Sequence, residues 1–353
     1  RETVHNVHFL CMAYGAKKVK VKFNSNRLTH FGGVYLFHLF LKQIGLRNLV
    51  AITIRYEQRN NHYTVSELIF SLLYPVILGL SRIEISKLLG HNGVFKLLIG
   101  LNRFPDPTTL RRFLVRGSNE LLPQLVRLHD RLRKYFINLI VPEKKLLLDV
   151  DSTVCTLYGQ QEGAMRGYNP SARGRKSYHP LFCFEHHSGT SLFGLLRHGN
   201  AYTSTGALDY LKTFFQQFSK EEYSVRMRGD SGFYDKDIVA LISQNNSEFA
   251  IVADMTGPLK NLVVGLKYRA VQGFDNRYTF AETSYQPMKW ERPYRYCIVR
   301  KKLEPEESDQ STLFTINAYS YSAIVTNLTM TPRNVWKFYN GRVQCERNIR
   351  SLK

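Results

Sequence analysis

The chain has 353 residues, and 49 Lys and Arg against 28 Asp and Glu leave a formal charge of +21 and a pI near 9.8. That excess points to a polyanionic partner, nucleic acid above all, and away from a membrane surface, because the basic residues are scattered rather than packed beside one long apolar segment. The longest apolar stretch, Leu68 to Leu80, is 13 residues broken by Ser71 and Pro75, too short to span a bilayer, and the five cysteines form no CxxC pair or zinc spacing and read as reduced thiols.

The first 60 residues, which include AKKVKVKF, carry no readable pattern. From Thr64 to about Ile140 the period is helical, with apolar residues three and four apart in SELIFSLLYPVILGL and IEISKLLG. Pro107 is placed to open a helix bearing Arg111, Arg112 and Arg116, and Arg131, Arg133 and Lys134 extend the basic character into the next one. Short helices ending in an arginine-bearing one resemble a DNA-docking module; an ordinary bundle with a solvated basic edge is the alternative.

At Lys144 the period changes. KKLLLDVDSTV reads as a central strand, and Asp149 and Asp151, two apart, share one of its faces. Two like charges on a buried strand call for a divalent metal or an arginine partner. Residues 158–177 read as a long polar loop holding Arg166, Arg173, Arg175 and Lys176, suited to a phosphate backbone. YHPLFCFE and SLFGLLR flank a turn at His187–Thr190 and read as a hairpin. A helix follows from about Thr203, capped by Thr203 or Ser204, then a strand ending at Asp230, a helix over DKDIVALISQNN and a strand over EFAIVAD. Strand, hairpin, helix, strand, helix, strand is the connectivity of a ribonuclease-H-like domain, in which a terminal helix supplies a third acid. Four strand-like runs between 255 and 330 read as an inserted β-rich subdomain.

The last stretch, YNGRVQCERNIRSLK, reads as a helix. Tyr339, Arg342, Glu346 and Lys353 then lie within an arc of roughly 60°, while Phe338, Cys345, Ile349 and Leu352 form the face that buries. An exposed face laced with ion pairs is the plain alternative. His179, His186, His187 and His198 lack the spacing of a metal site. Trp290, between Lys289 and Arg292 after a one-residue gap on the arginine side, is a candidate for stacking on an unpaired base, or else packs between strands.

With these segments in order, the chain resembles a DDE transposase of a bacterial insertion sequence. More narrowly it is similar to the cut-and-paste branch with a Tyr-x2-Arg-x3-Glu-x6-Lys signature, matched at Tyr339, Arg342, Glu346 and Lys353. DVDSTVCTLYG resembles the first-aspartate block and RGDSGFY the second, and the GYNP, RGR and YHPL segments at 167–181 resemble DDE domain group 1. The resemblance covers roughly residues 140–353. It implies an α/β fold with three parts: a mainly helical DNA-binding region over 1–140, a ribonuclease-H-like catalytic domain over 141–254 and 331–353, and the β-rich insertion over 255–330. It further implies two Mg²⁺ (or Mn²⁺) ions held by Asp151, Asp230 and Glu346, with Asp149 the runner-up for the first acid. Tyr339, Arg342 and Lys353 would grip phosphates at the transposon end. Metal-dependent cleavage and strand transfer, a homodimer on DNA and a bacterial cytoplasmic, nucleoid-associated location complete the expectation. A ribonuclease-H-type nuclease without strand transfer and an inactive DNA-binding remnant are the alternatives. Because it begins with Arg1 and stops at Lys353, where family members continue with more helix, the chain reads as a piece of a longer transposase.

Overall fold

The computed structural model describes residues 29–57, 62–304, 314–316 and 318–352, and up to Arg131 the described residues form helices and connections only. They divide into two units between Arg131 and Leu132. In the first lie α1 (Val34–Gln43), α2 (Leu46–Thr53), α3 (Val65–Ile77), α4 (Ser86–His91) and α5 (Gly93–Leu98). Thr64 caps α3 through a reciprocal box, its hydroxyl accepting from the Glu67 amide while Glu67 Oε2 accepts from the Thr64 amide at 2.7 Å.

The long helix α6 (Pro107–Ile140) carries on past the division as one 34-residue element, where the sequence pattern suggests two. Pro123 is accommodated inside it. Buried Leu110, Phe113, Leu121, Leu128 and Ile137 supply an apolar stripe whose burial outweighs the hydrogen bond that a proline forfeits. Arg111, Arg112 and Arg116 are exposed near its start.

The second unit is built on β1 (Lys145–Ser152), whose LLLDV core is buried on both faces. Beyond it come β2 (Cys155–Thr156), β3 (Met165–Arg166), β4 (Lys176–Tyr178), β5 (Leu181–Glu185), β6 (Ser191–Leu195), α7 (Ala207–Gln217), β7 (Ser224–Gly229), α8 (Lys236–Gln244) and β8 (Glu248–Val252). They are followed by α9 (Gly257–Val264), β9 (Arg269–Ala270), β10 (Tyr278–Tyr285), β11 (Tyr294–Lys302), β12 (Phe314–Ile316), β13 (Tyr319–Thr326), α10 (Pro332–Asn340) and α11 (Val343–Leu352). A ten-stranded sheet runs β6-β5-β1-β7-β8-β13-β11-β10-β9, with β12 beside β13. β7 is parallel to both β1 and β8, so the two strand ends leading into the sites of interest emerge on one edge of the sheet.

Three elements depart from the sequence reading. The strands between 255 and 330 form no sheet of their own: Ile324 pairs with Val252 and Val325 with Ile251, and all four take part in one continuous sheet. That segment also contains the helix α9. Within the expected loop 158–177, β3 and β4 join β2 in a small three-stranded sheet. The terminal helix is broken, because α10 stops at Asn340 and α11 starts at Val343. At the break, Arg342 N donates to Tyr339 O (3.2 Å) and Cys345 N to Arg342 O (2.8 Å), tight three-residue bonds that kink the chain without opening it. α11 still buries Cys345 and Ile349 against Phe184.

Candidate active site

Alternation along β1 turns Asp149 and Asp151 to the same face, but their surroundings differ. Asp149 is 1% exposed and holds Arg228 of β7 in a two-point pair, Nε to Oδ1 at 2.7 Å and Nη2 to Oδ2 at 2.8 Å. The parallel register sets Asp149 directly opposite Arg228. His186 Nδ1 lies 2.9 Å from Asp149 Oδ2, and Arg228 Nη1 donates to the Phe338 carbonyl of α10 at 2.6 Å. The guanidinium also stacks over the Phe338 ring at 5.2 Å. A Cβ on Gly341 would run into Arg228 Nη1, so the glycine at the helix break is needed for close approach. Arg228 thus ties β1, β7 and α10 together. Sequence reading asked for an arginine partner on this strand without finding it; the signal was Arg-x-Asp on β7, which puts Arg228 and Asp230 on one side just as Asp-x-Asp does on β1.

Asp151, two residues on, is a different acid. Its carboxyl accepts the Ser152 amide at 2.8 Å and stands 3.3 Å from Arg342 Nη2. Burial pushes it up to about 6; Arg342 opposes this, whereas the negative charges of Asp230 and Glu346 add to it. Arg342 is itself buried, which works against its charge. Tyr339, Asp151 and Asp230 outweigh burial and hold it more firmly protonated than an ordinary arginine. Its Nη1 donates to the Tyr339 hydroxyl at 3.2 Å and Nη2 to the Val150 carbonyl at 3.3 Å. Burial raises the Tyr339 phenol in turn, against the pull of Arg342.

Asp230 follows β7 and caps a turn of 3-10 helix by accepting the Gly232 amide at 3.0 Å. Glu346 is exposed in the first turn of α11. The charges of Arg342, Asp230 and Glu346 therefore act on the Asp151 carboxyl, but among the described residues no three His, Cys, Asp or Glu side chains gather closely enough to hold a metal ion. Arg342 occupies the flank of Asp151, and the Asp230 carboxylate is turned to its cap. Asp254, just beyond β8, is a fourth acid nearby that sequence reading did not single out: burial raises it, its bond to Ser231 opposes, and Asp230 adds repulsion.

Of the remaining candidates, Arg173 and Arg175 are exposed and Lys176 is half-buried on the small sheet, with Arg175 stacked over Tyr158 at 5.2 Å. Lys353 lies outside the described residues. Trp290 packs against Tyr234 (5.0 Å) and Tyr294 (5.4 Å), on the edge of the main core. Trp290→Ala should therefore lower unfolding free energy by about 2 kcal/mol, roughly half the loss for a fully buried tryptophan. A urea melt within 0.5 kcal/mol of the parent would count against the packing role. No helix among the described residues is long and apolar enough to cross a membrane.

The sequence model of the transposase DDE domain group 1 family matches residues 12–353. A solved structure of the piggyBac transposase synaptic complex with hairpin DNA is similar at 13% identity and TM-score 0.45, covering 92% of this chain and 69% of that one. The Mos1 transposase paired-end complex with left transposon end is similar at 9% identity and TM-score 0.22, covering 63% and 78%. No curated protein matches the chain.

Proposed function

Since this chain belongs to the transposase DDE domain group 1 family, we propose that it cuts and joins DNA at the ends of a bacterial insertion sequence, using Asp151, Asp230 and Glu346 as its acids. The observation that carries the assignment is the convergence of three separated segments on the Asp151 carboxyl, which feels Arg342, Asp230 and Glu346 together. A sheet order in which a parallel trio is flanked by an antiparallel hairpin supports a ribonuclease-H-like core over 141–254 and 331–353. The helical residues up to 140 would contact DNA through their exposed arginines, and a dimer on DNA would bring two ends together.

Two Mg²⁺ or Mn²⁺ ions suit this donor set. The three side chains offer only carboxylate oxygens, and a buried acid with further negative charge in reach is the imbalance that a hard cation relieves. Bound there, such ions would activate the attacking hydroxyl and neutralise charge at the scissile phosphate. The chain's own residues do the rest. Asp149 and Arg228 fix the strand and helix that carry the acids. Arg342, with Tyr339 bracing it, balances Asp151 in the free protein; once Asp151 is neutralised, the guanidinium becomes available to a phosphate oxygen, for which its fork is suited. Arg173, Arg175, Lys176 and Lys353 would add phosphate contacts. The packing of Trp290 favours a role in the fold over base stacking.

The test compares Arg342→Gln and Glu346→Gln with the parent on duplexes carrying the inverted repeats that bracket the gene. Arg342→Gln should lower the slope of log affinity against log salt by about 0.9, one phosphate contact. Glu346→Gln removes a negative charge, so metal-free binding should hold or tighten while Mg²⁺-supported cleavage collapses. Unchanged cleavage by Glu346→Gln would remove it from the site.

A further inference from the structure

Among the described residues of the second unit, the most exposed aromatic side chains are Tyr202 (83%), Tyr158 (81%) and Tyr168 (76%), and the loop that carries Tyr202 is tied down by a buried arginine. Arg197, 6% exposed, spends its guanidinium on that loop: Nη1 donates to the carbonyls of Tyr202 (2.9 Å), Thr203 (2.7 Å) and Thr205 (2.9 Å), and Nε to that of His179 (2.7 Å). Ordering a buried arginine on four carbonyls, without a carboxylate partner among these bonds, is a costly way to build a mere connection. It holds the carbonyls at and just after an aromatic ring that the protein leaves in water.

The loop lies against both acid-bearing segments. On one side His179 joins it to β1, with Nδ1 2.9 Å from the Ala201 carbonyl and Nε2 3.0 Å from Ser152 Oγ, next to Asp151. On the other side, a Cβ at Gly232 would collide with Thr203, so the residue after Tyr202 packs on the turn capped by Asp230. Gly167 and Gly199 are in equally close contact, which joins the loop to the small sheet. Between Cys155 and Tyr178 that sheet carries Arg166, Arg173, Arg175 and Lys176 against one acid, Glu162, and residues 198–206 carry none.

We propose that Tyr202 is a stacking platform for a nucleobase next to the cut, with the basic small sheet holding the adjoining backbone. The proposal rests on the DNA-cleaving function above and adds what the strand's bases touch. An exposed ring on a tied-down loop, beside the proposed site for phosphate chemistry and a basic small sheet, fits an unpaired base, since every base has a face to stack and the sheet supplies the charge.

Full-length parent, Tyr202→Ala and Tyr202→Phe are titrated with two transposon-end DNAs, one blunt and fully paired, the other with unpaired nucleotides at the cleavage position and 2-aminopurine among them. Tyr202→Ala should lose about ten-fold affinity for the unpaired DNA, and with it the 2-aminopurine quenching. Its affinity for blunt duplex should stay within two-fold and its melting temperature should not move, because the ring is exposed. Tyr202→Phe should behave as the parent. Equal affinities of parent and Tyr202→Ala for the unpaired DNA, or equal losses on both DNAs, overturn the stacking role alone. If the parent binds neither DNA, the transposase assignment itself falls.

Discussion

Asp151→Asn should abolish Mg²⁺-supported cleavage and at the same time make the metal-free protein more stable at pH 7. The Asp151 carboxyl is raised from 3.8 to about 6, chiefly by burial. At about pH 3 and below, folded and unfolded chains both hold the proton, and the acid has little effect on stability. Between pH 4 and 6 the unfolded chain gives up the proton while the folded one keeps it, so stability falls as pH rises. Above pH 6 both are ionised and the full penalty is present, on the order of 3 kcal/mol. Asparagine carries no such penalty. The stability difference between variant and parent, from urea melts in EDTA, should grow from near zero at about pH 3 to its full size at pH 7. A difference that stays constant over that window would contradict the assignment. Mg²⁺ should nearly cancel the difference: at 100 times its dissociation constant it should stabilise the parent by about 2.7 kcal/mol and the variant by much less.

The largest stability loss is expected at Arg228. Arg228→Met preserves length but leaves Asp149, 1% exposed, without its guanidinium, and the Phe338 carbonyl without its donor. Removing one partner of a buried pair costs about 3–5 kcal/mol. Gly341→Ala supplies an independent check. An alanine at a non-strained helical position is ordinarily favourable, and Gly341 has φ −60°. Here its methyl meets a guanidinium pinned by three bonds, so it should cost about 1–3 kcal/mol. In the Arg228→Met background that cost should vanish. Additive losses in the double variant would mean that the glycine and the arginine do not interact.

The strand alternation that put Asp149 and Asp151 on one face was legible because β1 is eight residues long and its apolar run is unbroken. The same alternation could have exposed Arg228, but pairing it with Asp149 needs the parallel register of β1 and β7, which a separation of 79 positions conceals (228 − 149). The broken terminal helix was illegible for a similar reason. Tyr339 and Arg342 meet whether or not the helix is continuous, and the demand for Gly341 comes from an arginine more than 100 residues earlier. Helix α7 begins at Ala207, later than its threonine and serine suggest, since Arg197 takes the carbonyls of Tyr202, Thr203 and Thr205 that an earlier start would need. Two-residue strands such as β2 and β3 are too short for any period to register. The continuous sheet was missed because β8 and β13 are both apolar, and apolarity alone does not say which strand lies beside which.

Because Arg342 and Glu346 reach Asp151 from the far end of the chain, the cluster is also ordered in time. During synthesis Asp151 is added 195 residues before Glu346 (346 − 151), an interval of roughly 10–40 s at ordinary elongation rates. Through most of that interval the residues of the helical segment and of the basic sheet are already synthesised, while the third proposed acid and the arginine that balances the first are not. If the proposed function holds, a nascent chain would be able to engage DNA beside its own polysome well before it could cut, and the genome would meet the proposed acids only as a finished set.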